Sequence, residues 1–133
     1  MVRPADHLRT ESNHAVRVLI VEDEYVSRHA LGRLLERCGY RVELAESAED
    51  ALALLNRRIR PDVVLLDVDL PGMNGLELLA RLRATMPHVT PVLLTGADRD
   101  TVWPATSRGV PYLRKPVDFD RLLNVLDHSA GRA

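Results

Sequence analysis

Val63-Val64-Leu65-Leu66-Asp67 is the stretch that decides the fold. Four aliphatic residues without polar alternation describe a strand covered on both faces, as in parallel sheets flanked by helices. Three other apolar runs share its design. Val18-Leu19-Ile20-Val21 runs into Glu22-Asp23-Glu24, Pro91-Val92-Leu93-Leu94 ends on Thr95, and Tyr112-Leu113-Arg114 leads to Lys115-Pro116. In open parallel α/β sheets, ligands bind beyond the carboxyl ends of the strands, where the strand order reverses. Carboxylates, a hydroxyl and an ammonium collected at that edge read as a metal-and-phosphate site.

Between these runs, helical patterns alternate with the strands. Strand one spans about Arg17–Val21, and the helix after it carries Ala30, Leu31, Leu34, Leu35 and Cys38 on one face, with Gly39 as its stop. Strand two covers about Arg41–Ala45. Ser47-Ala48-Glu49-Asp50 then resembles a capping box and opens a helix with the stripe Ala48, Ala51, Leu52, Leu55. Arg57, Arg58 and Arg60 read as a solvated loop in preference to a nucleic-acid patch. After strand three, Pro71-Gly72-Met73-Asn74-Gly75 is turn chemistry, with Asn74 capping a helix that carries Leu78, Leu79 and Leu82. Strand four is about Val92–Leu94. A last helix over about Asp118–His128 places Phe119, Leu122, Leu123 and Leu126 at i, i+3, i+4, i+7. Between Thr95 and Tyr112, Pro104, Gly109 and Pro111 predict a short or irregular helix starting near Trp103. Alternating βα units imply a parallel sheet with right-handed crossovers and helices on both faces.

At 133 residues the chain is long enough for one domain with a single core. Residues 1–16 read as a flexible N-terminal tail, 17–128 as the domain and 129–133 as a C-terminal tail. The formal net charge of −1 gives no global attraction to nucleic acid or an anionic membrane. No apolar stretch approaches the ~20 residues of a membrane span, and Met1-Val2-Arg3-Pro4-Ala5-Asp6 lacks a signal-peptide core. The single cysteine, Cys38, rules out an internal disulfide and fits a reducing cytoplasm. His7, His14, His29, His88 and His128 show no metal-ligand spacing, so a zinc site is not expected. Of 18 basic residues 17 are arginine, leaving Lys115 as the one ammonium side chain. A compact point charge suits contact with a single phosphoryl oxygen better than a planar guanidinium does.

Glu22, Asp23 and Asp67 brought together would repel, one like-charge pair at ~4 Å costing on the order of 4 kcal/mol at an effective dielectric of 20. Such a cluster calls for a cation, and hard oxygen ligands suit Mg²⁺. The alternative is that Asp23 caps the first helix while Asp67 sits in a solvated turn.

Taken together, Val-Leu-Ile-Val-Glu-Asp-Glu (18–24), Leu-Leu-Asp-Val-Asp-Leu-Pro-Gly-Met-Asn-Gly (65–75), Leu-Leu-Thr-Gly-Ala (93–97) and Tyr-Leu-Arg-Lys-Pro (112–116) resemble the receiver domain of two-component response regulators. The resemblance implies a flavodoxin-like sheet of five parallel strands in the order 2-1-3-4-5. It also implies that Asp67 accepts a phosphoryl group from a partner histidine kinase or histidine phosphotransfer protein. Asp23, Asp67 and the backbone carbonyl of Asp69 would bind Mg²⁺, with Glu22 acting through water. Lys115 would pair with a phosphoryl oxygen, and the Lys115–Pro116 bond would be cis. Thr95 and Tyr112 would form the switch, reshaping the face made by the fourth helix, fifth strand and fifth helix. The chemistry so implied is confined to the chain's own aspartate, so no enzyme acting on an external substrate is expected. The implied output is a downstream protein partner or output domain, with the chain a monomer or a phosphorylation-promoted homodimer in the cytoplasm. Ser129–Ala133 leaves no room for a DNA-binding helix-turn-helix, so no direct nucleic-acid role is expected.

The chain departs from the family pattern between Thr95 and Lys115, which is short and carries Pro104 and Pro111. Asp69 adds a carboxylate beside the acceptor. With the small Ala97 it leaves a path for water, so the acyl phosphate is expected not to be unusually long-lived. Two rival readings stand. Asp67-Val68-Asp69 imitates the haloacid-dehalogenase-like phosphatases, although Pro71 and the preceding acidic pair do not suit that motif. A receiver-like module that binds partners without phosphorylation is the other, and the set Asp23, Asp67, Thr95 and Lys115 argues against it.

Overall fold

The computed structural model describes residues 15–96 and 109–129. Strands β1 (Arg17–Val21), β2 (Arg41–Ala45), β3 (Val63–Asp67), β4 (Thr90–Thr95) and β5 (Tyr112–Arg114) alternate with helices α1 (Tyr25–Arg37), α2 (Ala48–Asn56), α3 (Gly75–Thr85) and α4 (Phe119–Ser129). The strands form one parallel sheet in the order β2-β1-β3-β4-β5. The order reverses between β1 and β3, whose carboxyl ends carry Glu22 and Asp67. Of the expected tails 1–16 and 129–133, residues 1–14 and 130–133 lie outside the described residues, as does the helix expected near Trp103; Val16 is buried in the core and Ser129 ends α4.

Strand alternation sorts the core into two layers. Leu19, Val21, Val64, Leu66 and Leu93 pack against Ala48, Ala51 and Leu55 of α2 and Leu78, Leu79 and Leu82 of α3. Val18, Ile20, Val63, Leu65, Val92, Leu94 and Leu113 pack against Leu31 and Leu35 of α1 and Leu122 and Leu126 of α4. Each fully buried aliphatic side chain contributes roughly 1.5–3 kcal/mol. The central strands are therefore stable enough to carry polar groups at their ends.

Helix starts follow the expected chemistry. Ser47 Oγ accepts from Asp50 N–H at 3.0 Å, and Asn74 Oδ1 accepts from Glu77 N–H at 2.9 Å. Asp118 Oδ1 receives the N–H groups of Asp120 and Arg121, so it caps α4 from just outside it. Gly39 ends α1 with φ 95°, a conformation that costs glycine little.

Two expectations need correction. On α1 the buried residues are Arg28, Leu31, Gly32 and Leu35, whereas Ala30 and Leu34 are exposed and Cys38 is only half-buried. The inner stripe is centred on 28, 31 and 35, so Ala30 and Leu34 fall on its flanks. Strand four begins at Thr90, two residues earlier than expected, and takes in Pro91. Thr90 N–H bonds to Asp62 on the β3 side and Leu93 N–H to Pro111 on the β5 side. The nitrogen of Pro91 thus faces the β5 side before β5 begins, where the ladder requires no donor.

Candidate functional site

The same alternation that builds the core also builds the site. Glu22 continues the row Val18, Ile20; Asp67 continues Val63, Leu65; Lys115 follows Leu113. All three emerge on the α1/α4 side of the carboxyl edge. Lys115 Nζ lies 2.8 Å from Glu22 Oε1 and 2.8 Å from Asp67 Oδ2, joining residues far apart in sequence. Both carboxylates are buried, Glu22 at 1% and Asp67 at 1% exposure. Asp67 Oδ1 accepts the N–H of Asp69 at 2.9 Å, which fixes the plane of its carboxyl group. Lys115 N–H in turn donates to the Thr95 carbonyl at 2.9 Å, and the Lys115–Pro116 bond is cis.

Asp23 joins this group although alternation alone would point it to the other side. One carboxylate oxygen from each of Glu22, Asp23 and Asp67 falls within a common span of 4.8 Å. The residue at the N-cap of α1 is Glu24, without a side-chain cap bond, so Asp23 is not engaged as a helix cap. Asp23 and Asp69 line an open cleft of about 530 Å³ together with Pro71 and Asn74. The exposed carboxylate of Asp69 stands at the rim and does not enter the cluster.

Burial, more than any neighbour, pushes the Glu22 carboxyl from an ordinary 4.5 up to about 7; the hydrogen bond and charge of Asp67 add to the rise, and Lys115 and the Glu24 N–H oppose it. Burial works in the same direction on Asp67. There it is outweighed by hydrogen bonds from Glu22, Lys115 and the Asp69 N–H, so Asp67 sits below the ordinary carboxylate range. Burial would lower Lys115, but Asp67 and Glu22 more than compensate and hold it above its ordinary value. Glu22 thus holds the more tightly bound proton, and Asp67 is the ionised partner facing the ammonium. An ionised, oriented carboxylate is a competent nucleophile, and the three-acid cluster has the oxygen chemistry that suits Mg²⁺.

Thr95 and Tyr112 lie on the opposite face of the sheet, on the side of Leu93. Thr95 is fully buried at the end of β4, while Tyr112 is 38% exposed. The structure therefore brings Glu22, Asp23, Asp67 and Lys115 together and places Thr95 and Tyr112 on the second face.

Two further residues shape the site: Arg28 carries no expectation from the sequence, and Gly75 is expected there only as part of a turn. Arg28 is buried and donates from Nη1 to the carbonyls of Glu22 (2.9 Å) and Asp23 (3.2 Å). Its signal is an arginine on the inner stripe of an amphipathic helix. Gly75 opens α3 directly against the end of β3: a Cβ there would lie 2.1 Å from the Asp67 carbonyl oxygen. Its signal is a glycine at the first helical position, where propensity favours other residues.

Residues 18–127 match the response regulator receiver domain family. The protein PilH of Pseudomonas aeruginosa is 36% identical over 115 residues, covering 84% of this chain and 94% of PilH. TcrX, a probable transcriptional regulatory protein of Mycobacterium tuberculosis, is 36% identical over 118 residues; 87% of this chain is covered but only 50% of TcrX. The chain thus spans nearly all of one relative and half of the other. Among solved structures, a CheY-like receiver domain protein from Methanospirillum hungatei superposes with a TM-score of 0.82 at 29% identity, covering 89% of this chain and 95% of that one. Receiver domains of this kind work with histidine kinases and output domains, and they typically bind Mg²⁺ at an acidic cluster. This chain belongs to the response regulator receiver domain family and is a phospho-accepting signalling switch.

Proposed function

We propose that Asp67 is the phospho-acceptor. The observation that carries this reading is the buried Asp67 carboxylate held 2.8 Å from the Lys115 ammonium, within the span shared by Glu22 and Asp23. An Asp67 carboxylate oxygen attacks the phosphorus of a phosphohistidine on a partner kinase or phosphotransfer protein. The new O–P bond forms as the N–P bond breaks, and the histidine nitrogen leaves with the electron pair. Lys115 shifts from the carboxylate towards a phosphoryl oxygen and stabilises the transferred charge. Asp23, Asp67 and the backbone carbonyl of Asp69 would hold Mg²⁺, with Glu22 behind them through water. When bound, the ion supplies positive charge to the acids and the incoming phosphoryl oxygens.

Thr95 donates its hydroxyl to a phosphoryl oxygen, and Tyr112 moves inward from its exposed position. The two residues share a face of the sheet, which supports their coupling. Charge-assisted hydrogen bonds of this type are of the order needed for a 1:99 to 99:1 population swing, about 5.5 kcal/mol. The reshaped face controls a downstream partner or output domain. Hydrolysis of the acyl phosphate resets the switch, so its catalysis is confined to Asp67. A phosphatase acting on external esters is disfavoured by the family match over residues 18–127. Among the described residues no helix is long and apolar enough to cross a membrane, and we place the switch in the cytoplasm.

Incubation with acetyl phosphate and Mg²⁺ tests the assignment. Intact mass is expected to rise by one phosphoryl group in the wild type and not in Asp67→Asn. Equal labelling of the two proteins would refute it.

A further inference from the structure

Arg28 is a buried cation whose ion pair among the described residues is a long one: Glu46 Oε2 lies 3.9 Å from Nη2, and the Glu46 side chain is 68% exposed. The Tyr25 ring lies 5.6 Å from Cζ to its centroid. Burying a guanidinium is costly unless its N–H groups are satisfied. Main chain satisfies one of its nitrogens: Nη1 donates to the carbonyls of both Glu22 and Asp23.

Those two bonds carry geometric information. In an extended strand, successive carbonyls point to opposite sides, as do successive side chains. Two consecutive carbonyls can meet one nitrogen only where the strand bends, and the chain bends at Asp23. That bend also brings the Asp23 carboxylate round to the side of Glu22 and Asp67. Converging carbonyls and converging carboxylates are two aspects of one backbone conformation: Arg28 bonds its carbonyl side, and the Glu24 N–H donates to the Glu22 carboxylate at 3.2 Å on the other.

We propose that Arg28 is a positioning residue for divalent-cation binding. From α1 it clamps the Glu22–Asp23 bend so that the two acids face the same ion. The inference rests on the reading of this cluster as a Mg²⁺ site. Partners that orient metal ligands typically change affinity by about 10–100-fold when removed, and a loss in that range is expected here.

Mg²⁺ binding by calorimetry on the full chain, without phosphodonor, is the test. R28M removes the donors and keeps the apolar stem; R28K keeps a cation that can donate to the carbonyls. L35A weakens the same helix from a buried position remote from the acids. R28M is expected to bind Mg²⁺ at least about 10-fold more weakly than wild type, with R28K in between and L35A within about twofold. Wild-type affinity in R28M overturns the inference and leaves the metal site standing. A loss in L35A as large as in R28M also overturns it, because helix stability would then be the cause. Absence of Mg²⁺ uptake by the wild type refutes the metal site itself, and the inference with it. If R28M does not fold, R28L, which also lacks donors, is judged by the same criteria.

Discussion

Replacing Gly75 by alanine would set a methyl carbon 2.1 Å from the Asp67 carbonyl oxygen, 2.8 Å from Val68 Cα and 2.9 Å from the Asp67 carbonyl carbon. Ordinary contact begins near 3.4 Å, so α3 and the end of β3 must separate by more than about 1 Å, and all three obstructing atoms are main chain. The separation also breaks the bond from Gly75 N–H to the Val68 carbonyl, now 3.1 Å. Overpacking costs about 1–3 kcal/mol and the lost hydrogen bond about 1. Alanine's helix propensity and its stiffer unfolded chain return about 1 kcal/mol. The net loss is therefore about 2 kcal/mol, which in urea lowers the midpoint by roughly 1 M. Displacement of the Asp67 backbone by about 1 Å should also slow labelling by acetyl phosphate, by up to about 100-fold. Gly96, where an added Cβ meets nothing within 4 Å, provides the control. G75A within about 0.5 kcal/mol of wild type, with unchanged labelling, would refute the argument that this glycine exists for close approach.

Three further outcomes are expected. In chelator, stability should fall as pH rises from about 5 to about 8: Glu22 binds its proton more tightly folded (about 7) than unfolded (4.5), so its contribution is full below 4.5 and lost through 7. The loss is at most about 3 kcal/mol, and Asp67, shifted downwards, weakens the protein only in strong acid; Glu22→Gln should flatten the profile, and a flat wild-type profile counts against the buried proton. Lys115→Met leaves two buried acids facing each other; breaking such a pair costs about 3–5 kcal/mol, reduced to about 2 by the 33% exposure of the lysine. The deficit should grow with pH as the acids ionise, and denaturation at two pH values checks both size and sign. Asp69→Asn removes the rim carboxylate and should change the decay rate of the acyl phosphate; an identical rate would show that this carboxylate does not influence the attacking water.

Much of this architecture was readable from apolar runs because each run ends on a polar residue at the carboxyl edge of the sheet. Val63–Leu66 announced a doubly covered strand, and parity then fixed where Asp67 points. Lys115 was legible because its ammonium is unique in composition. Asp23 was legible from its place beside Glu22 at a strand end but not from parity, since alternation sends it to the other face and a bend returns it. Arg28 was hidden because a charged residue within a helix usually reads as solvated, and nothing local reveals that its guanidinium reaches back to the preceding loop. Gly75 was hidden for a similar reason: turn chemistry accounts for a glycine there without the backbone crossing that requires it. Pro91 misled in the other direction. A proline argues against a strand unless the edge that its nitrogen faces is known.

Glu22, Asp67 and Lys115 occupy the next steps of rows whose earlier members are Ile20, Leu65 and Leu113. The oily interior and the reactive cup are thus written in one reading frame. Deleting a single residue from β1 or β3 would turn the acid outward in the same stroke that turned the aliphatic side chains to the wrong layer. Strand-length changes that survive as folded protein should therefore be those that keep the frame, and the chemistry would survive with them.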